Sequence, residues 1–360
     1  MARIVVGMSG GVDSAVAAME LKRQGHEVLG VFMKNWEERG EDGACTAASD
    51  WQDVQRICET IDIPYYSVNF AREYMDRVFS YFLDEYRRGR TPNPDVLCNR
   101  EIKFGKLLDF ARELGADKLA TGHYARVEKR GDEYVLLRSA DENKDQTYFL
   151  YMLGQRALSM AMFPIGGMTK LELRRVAQEN DIPVSAKKDS TGVCFIGERD
   201  FKKFLMEYLP AQPGEMRTLD GRVVGRHDGL MYYTLGQRRG LGIGGSGDGR
   251  RWFVVGKDME RNVLLVEQGE DSPLLYSRAA ICELPSWIAG HPPVEPGGML
   301  SCMVRLRHRQ PLQRASLMLD GEGFRLEFDT PQRAVTPGQA AVIYLDDMCL
   351  GGGTVCRAIQ

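Results

Sequence analysis

Short apolar runs separated by stretches of helical spacing fill the first third of the chain. Ile4-Val5-Val6, Val28 to Phe32, Tyr65 to Val68 and Asp117 to Thr121 are predicted strands. Between them, Ala15 to Gln24, Asp50 to Ile61 and Ile102 to Leu114 place apolar residues at helical spacing. Apolar strands alternating with helices predict a doubly wound parallel sheet, whose ligands bind beyond the carboxyl ends of the strands. A helical zone is predicted from about Lys144 to Asn180, with Thr169 and Glu172 spaced as a capping box. Past Leu209-Pro210, glycine and proline become frequent. The pattern turns to alternation, as in Ser301-Cys302-Met303-Val304-Arg305-Leu306. The expected fold class is α/β: a parallel sheet over residues 1–200, a small β-rich linking domain over 201–276 and a C-terminal β-barrel over 277–360.

Composition narrows this only slightly. The 360 residues, 43% hydrophobic and 27% charged, suit a globular protein of two or three domains. No apolar run reaches the length of a membrane span, and Met1-Ala2-Arg3 leads straight into a strand. A cytoplasmic location without membrane association is therefore expected. The eight cysteines include no CxxC pair and no Cys/His cluster of zinc-ligand spacing. A net charge of −3 excludes a generally basic nucleic-acid coat but leaves room for a local patch.

The strongest chemical signal follows the first strand. Ser9-Gly10-Gly11-Val12-Asp13-Ser14 opens a helix, so its amides and the helix dipole favour a phosphate. It lacks the lysine of a Walker A loop, which suits holding a departing pyrophosphate better than γ-phosphoryl transfer. Asp13 is a candidate Mg²⁺ ligand, and Ser9 and Ser14 candidate partners of phosphate oxygens. A second glycine run, Gly240 to Gly245 among arginines, follows no βα pattern and reads as a flexible loop.

Further segments define a resemblance. They are Asn93-Pro94-Asp95-Val96-Leu97-Cys98-Asn99, Ala120 to Arg126, Lys144-Asp145-Gln146-Thr147-Tyr148-Phe149-Leu150 and Asp189 to Gly197, with Thr234 to Leu241 and Pro337-Gly338-Gln339. With the phosphate loop, they closely resemble the bacterial tRNA-specific 2-thiouridylases, N-type ATP pyrophosphatases with an adenine nucleotide alpha hydrolase-like fold. The resemblance implies ATP with Mg²⁺, adenylation of the C2 oxygen of the wobble uridine (position 34), and its replacement by sulfur in tRNAs for lysine, glutamate and glutamine. It makes Cys194 the persulfide carrier, loaded by a cysteine desulfurase or a sulfur-relay protein. Cys98 becomes the nucleophile that resolves the persulfide through a disulfide with Cys194, and Asp95 the acid or base beside the base. It assigns ATP contacts to Gly7, Met8, Ser9, Gly10, Gly11, Val12, Asp13, Ser14, Met33 and Gly122. It assigns tRNA contacts to Asn93, Pro94, Asp95, His123, Lys144, Asp145, Gln146, Arg307, His308 and Gln339.

The residues themselves speak to part of this. Cys98 reads as lying in a Pro-rich loop just before a helix starting near Glu101, where the dipole favours thiolate. Asp95 lies three residues earlier, and Cys194 follows a Thr191-Gly192 turn. Cys58, Cys282, Cys302 and Cys356 read as small buried hydrophobes, while Cys45 sits in a polar loop. Met33 reads equally as core or as an adenine contact. Arg305, Arg307 and Arg309 alternate, so a strand would put them on one face; an RNA-facing row and a solvated barrel face are both open. The family carries Arg-Tyr here, and His308 departs from it.

Overall fold

In the computed structural model, which describes residues 1–36, 46–188, 200–244 and 248–360, the chain begins with a five-stranded parallel sheet. Its strands are β1 (Arg3–Met8), β2 (Glu27–Lys34), β3 (Tyr65–Asn69), β4 (Lys118–Thr121) and β7 (Ala161–Met162), in the order β3-β2-β1-β4-β7. Strand β1 shows why helices cover both faces. Ile4 and Val6 pack with Ala15, Val16, Leu21, Val54 and Ile57 of helices α1 (Val12–Arg23) and α2 (Thr46–Ile61). Val5 points the other way, into Phe104, Leu107, Leu108 and Ala111. All three are fully buried, so this strand reads as a continuous apolar run.

The helix on that second face differs from the expected one. It starts at Pro94 with Asn93 as N-cap, whose side chain accepts the Asp95 amide, and runs as Pro94–Leu97. It then continues π-helically over Cys98–Leu107 and α-helically over Leu108–Glu113. A helical segment over residues 71–87 has no counterpart in the sequence reading. The zone from Lys144 breaks into Thr147–Leu150, Gln155–Met160, strand β7 and Lys170–Glu179. The last of these carries both reciprocal bonds of the Thr169–Glu172 capping box.

Strands β8 (Gly214–Arg217), β9 (Val223–His227), β10 (Trp252–Asp258) and β11 (Val263–Gln268) form a four-stranded sheet in the order β10-β11-β8-β9. Strands β12 (Tyr276–Trp287), β13 (Leu300–Arg305), β14 (Gln313–Asp320), β15 (Gly323–Arg333), β16 (Ala340–Leu345) and β17 (Met348–Ile359) make a barrel. It runs β12-β15-β14-β13-β16-β17 and closes where β12 pairs with β17. Alternation along β16 decides how the barrel is used. Ala341 and Ile343 fill its interior, whereas Ala340, Val342 and Tyr344 join the apolar core under the parallel sheet. A hairpin of the first domain, β5 (Ala125–Arg130) and β6 (Glu133–Arg138), extends the barrel's sheet by pairing Leu137 with Met348 and Leu136 with Cys349. Among the described residues no helix is long and apolar enough to cross a membrane.

Candidate active site

The phosphate loop leaves β1 with Gly10 at φ 72°, where a Cβ would also lie 2.8 Å from the Asp50 carbonyl oxygen. Glycine is required there on both counts. Gly11 is the N-cap of α1 and no side chain caps it, so the first amides of the helix keep their capacity for an anion. The Ser9 amide donates to Ser14 Oγ (3.2 Å), which donates to the Gly11 carbonyl (3.1 Å). Gly122, after β4, lies so close that a Cβ would stand 2.7 Å from the Ser14 nitrogen.

Positive charge reaches the loop from residues that the sequence did not single out. Lys170 Nζ donates to Asp13 Oδ1 at 2.7 Å, and the Tyr124 hydroxyl donates to the same oxygen at 2.9 Å. Lys187 Nζ bonds the Gly10 carbonyl (3.3 Å), Asp50 (2.8 Å) and Asp53 (2.7 Å). Burial works against the Lys187 charge, but its two carboxylates prevail and raise its pKa. Two ammonium groups thus border a loop that carries no lysine of its own. Among the described residues no group of three His, Cys, Asp or Glu side chains has metal-site geometry. A Mg²⁺ ion borne by a triphosphate still fits with Asp13 as its single protein ligand, since Mg²⁺ keeps most of its coordination for water and phosphate oxygens.

Cys98 is 3% exposed and is the fifth residue of its helix. This corrects the loop assignment: Asp95, not the thiol, stands in the first turn, where the dipole acts. Burial raises the pKa of Asp95, and the charge of Lys103 opposes that rise. Lys103 Nζ lies 3.4 Å from His123 Nε2, and His123 Nδ1 lies 2.7 Å from Thr121 Oγ1. His123 is buried, its pKa held well below the usual value by burial first and by Lys103 second. The helix bearing the thiol and the loop bearing the phosphate site therefore meet at the end of β4, through His123 and Gly122. Met33, near the end of β2, is half-buried between the core that holds Val5 and the cluster that holds Phe79 and Cys98.

The residues expected to face tRNA divide. Asn93 caps the thiol helix, and Gln339 Nε2 donates to the Thr91 carbonyl at 2.6 Å, so the barrel braces the entry to that helix. Beside it a cleft of about 400 Å³ is lined by Asn93, Val96, Leu97, Arg100, Leu284 and Gly338. Gln146 Oε1 accepts the Tyr124 amide, which ties the Lys144–Gln146 segment to the tyrosine that bonds Asp13. Asp145 is 2% exposed and accepts from the Ser139 amide, from Thr147 and from Arg305, so its carboxylate is spent inside the protein.

The arginine row does not form. β13 ends at Arg305, and Arg309 turns the chain at φ 68°. Arg305 is 4% exposed, 2.7 Å from Asp145, with its guanidinium over the Tyr344 ring. Arg307 Nη2 donates to the Leu235 and Ala334 carbonyls and to Thr336 Oγ1, fastening the middle domain to the barrel. His308 packs 4.4 Å from Phe149; burial, then Arg309 and Arg305, lower its pKa to about 4, so it is neutral. Replacing Arg305 with Met is expected to cost about 3–5 kcal/mol of stability, because the Asp145 charge stays behind unpaired. Adding Asp145→Asn should return part of that loss, and equilibrium denaturation of both variants checks it.

Cys194, its Thr191-Gly192 turn and Cys45 lie outside the described residues. Cys58, Cys282 and Cys302 are buried, and burial pushes all three thiols up, Cys58 and Cys302 to about 12. Cys349 behaves likewise, also at about 12, whereas Cys356 is only half-buried.

Three family models match in order. They are a tRNA methyl transferase HUP domain over residues 2–198, a tRNA methyl transferase PRC-barrel domain over 202–268 and an aminomethyltransferase beta-barrel domain over 277–355. The tRNA-specific 2-thiouridylase MnmA of Bacillus pumilus is 59% identical, covering 98% of this chain and 94% of the relative. That of Alkaliphilus oremlandii is 58% identical over 99% and 98%. The chain belongs to the tRNA-specific 2-thiouridylase family. A solved 4-thiouridine synthetase–RNA complex with bound ATP is similar at a TM-score of only 0.36, 17% identity, 57% of this chain and 49% of that one. Membership of the family rests on the sequence relatives, which the chain matches almost end to end.

Proposed function

We propose that this chain 2-thiolates the wobble uridine of tRNA with ATP and a cysteine persulfide. The observation that carries this reading is the convergence at the end of β4. There an uncapped glycine-rich helix start, flanked by two lysines, lies next to the helix that bears Asp95 and Cys98. In the first step the uridine O2 attacks the α-phosphorus and pyrophosphate leaves, held by the amides of Gly11 to Asp13 and by Lys170 and Lys187. Asp95 takes the proton released from the base. AMP is then a good leaving group at C2.

In the second step the terminal sulfur of a Cys194 persulfide attacks C2 and expels AMP. The Cys98 thiolate next attacks the Cys194 sulfur. The thiocarbonyl leaves with the bonding electrons, and both cysteines end as a disulfide that an external dithiol reduces before the next turnover. The cleft beside Asn93 supports entry of a nucleotide, being within the size of small-ligand sites. Acceptors for lysine, glutamate and glutamine, and a cysteine desulfurase or sulfur-relay donor, complete the reading. A methyl transferase, as the family-model descriptions are worded, has no use for a pyrophosphate-binding loop.

The test is direct. The protein is incubated with unmodified tRNA, ATP, Mg²⁺, cysteine, a cysteine desulfurase and a dithiol reductant, and the digested RNA is searched by mass spectrometry for 2-thiouridine. Thiouridine that needs ATP supports the reading; its absence with intact tRNA binding would overturn it.

A further inference from the structure

One helix carries the Asp95 carboxyl, the Cys98 thiol and the Lys103 ammonium. From Cys98 to Leu107 this helix is π-helical, and such segments are rare, longer ones especially so. Pairing of residue i with i+5 sets Lys103 one turn above Cys98, where an α-helix would set Glu101 or Ile102. The lysine thus stands about one turn along the same helix from the thiol, with Ile102 packed beside Cys98 in the core. A second observation, independent of helix register, shows what the lysine meets there. Its Nζ lies 3.4 Å from His123 Nε2, and His123 Nδ1 lies 2.7 Å from Thr121 Oγ1. An ammonium can only donate, so Nε2 accepts and Nδ1 carries the ring proton, donated to the threonine.

We propose that Lys103 is a positioning residue of the thiolation site. Its ammonium fixes His123 as the neutral Nδ1–H tautomer and supplies the positive charge that keeps the Asp95 carboxyl usable as a base. The inference rests on Asp95 and Cys98 being the reacting groups of the function proposed above. Among the described residues, Lys103 is the charge that acts on both Asp95 and His123. Without it, burial alone sets the Asp95 carboxyl, which then gains a proton at higher pH. The histidine loses the donor that chooses its tautomer, beside the Gly122 backbone that packs on the phosphate loop.

The test uses the full-length protein with Lys103→Met and Lys103→Arg. Thiolation is followed against pH, and the His123 tautomer by nitrogen-15 NMR of labelled histidine. Lys103→Met is expected to bind ATP and tRNA like the wild type. It should thiolate roughly 10–100-fold more slowly at neutral pH, with the acid limb of the rate profile moved to higher pH. Lys103→Arg keeps the charge and should return the acid limb to its wild-type place. The His123 Nδ1–H signature should be lost in Lys103→Met. An unmoved acid limb or an unchanged tautomer overturns the proposal even if the rate falls, because a lysine that only packs would slow the enzyme and move neither. Cys98→Ser serves as the control on the underlying reading. Should it thiolate at the wild-type rate, that reading fails, while the His123 tautomer in Lys103→Met still decides the case of Lys103.

Discussion

Cys194→Ser is expected to make no 2-thiouridine from a desulfurase donor, while Cys98→Ser accepts sulfur on Cys194 but does not pass it on. In the sulfur-transfer scheme both thiols are reactants, so each loss should reach at least about a thousandfold, the scale on which removal of a nucleophile is felt. Adenylation involves neither thiol. Both variants should therefore still release pyrophosphate in the presence of tRNA and accumulate an adenylated RNA. In the wild type, turnover without reductant should leave a Cys98–Cys194 disulfide, since a thiolate attacking a sulfur–sulfur bond keeps its target. The Cα atoms must come within about 7 Å for that bond. Cys98 enters that bond from a helix in which it is only 3% exposed. Peptide mapping without reduction reads the linkage. Thiolation by Cys194→Ser at the normal rate would remove the carrier role.

The second large effect is expected at Asp13. Its carboxylate accepts from both Lys170 and Tyr124, so it orients the cation and the hydroxyl beside the uncapped start of α1. Asp13→Ala should lower pyrophosphate release by about 10²–10³, the range seen when one preorganised electrostatic contact to a transition state is removed. Binding of tRNA should persist, because the carboxylate faces the loop and not the cleft beside Asn93. Lys170→Met should weaken ATP affinity as well as turnover, since a charge then leaves the phosphate site. Pyrophosphate release and filter binding of labelled tRNA, run on the same preparations, separate the two. Normal turnover by Asp13→Ala would sink the role given to the loop.

Local patterns in the chain carried a large share of this structure. The runs at Ile4, Val28 and Asp117 became neighbouring parallel strands because a strand buried on both faces needs an unbroken apolar sequence, while the run at Tyr65 pairs with β2 as the sheet's more exposed edge. The Thr169–Glu172 capping box formed because its two bonds close within one turn. What stayed hidden depends on residues far apart in the chain. Lys170 and Lys187 reach the loop from 157 and 177 positions away, and a lysine on a helix or in a turn has no local mark of such a partner. Arg305 misled for a related reason. Alternation correctly turned it away from the barrel interior, but the outer face meets the first domain there, and Asp145 waits 160 positions earlier. The π-helical winding after Cys98 was equally invisible, since apolar spacing at Ile102, Phe104, Leu107 and Leu108 fits a helix of either kind.

Strand β17 has a consequence for how the polypeptide matures on the ribosome. It pairs with β16, closes the barrel against β12 and holds the hairpin β5–β6 through Met348 and Cys349. That hairpin ends at Arg138, some two hundred residues before its partner. At a synthesis rate of about 5–20 residues per second, the first domain is exposed for roughly 10–40 s with an unpaired strand edge. Such an edge is a template for pairing with other chains. Nascent chains on neighbouring ribosomes carry the same open edge, and arrival of residues 348–359 covers it.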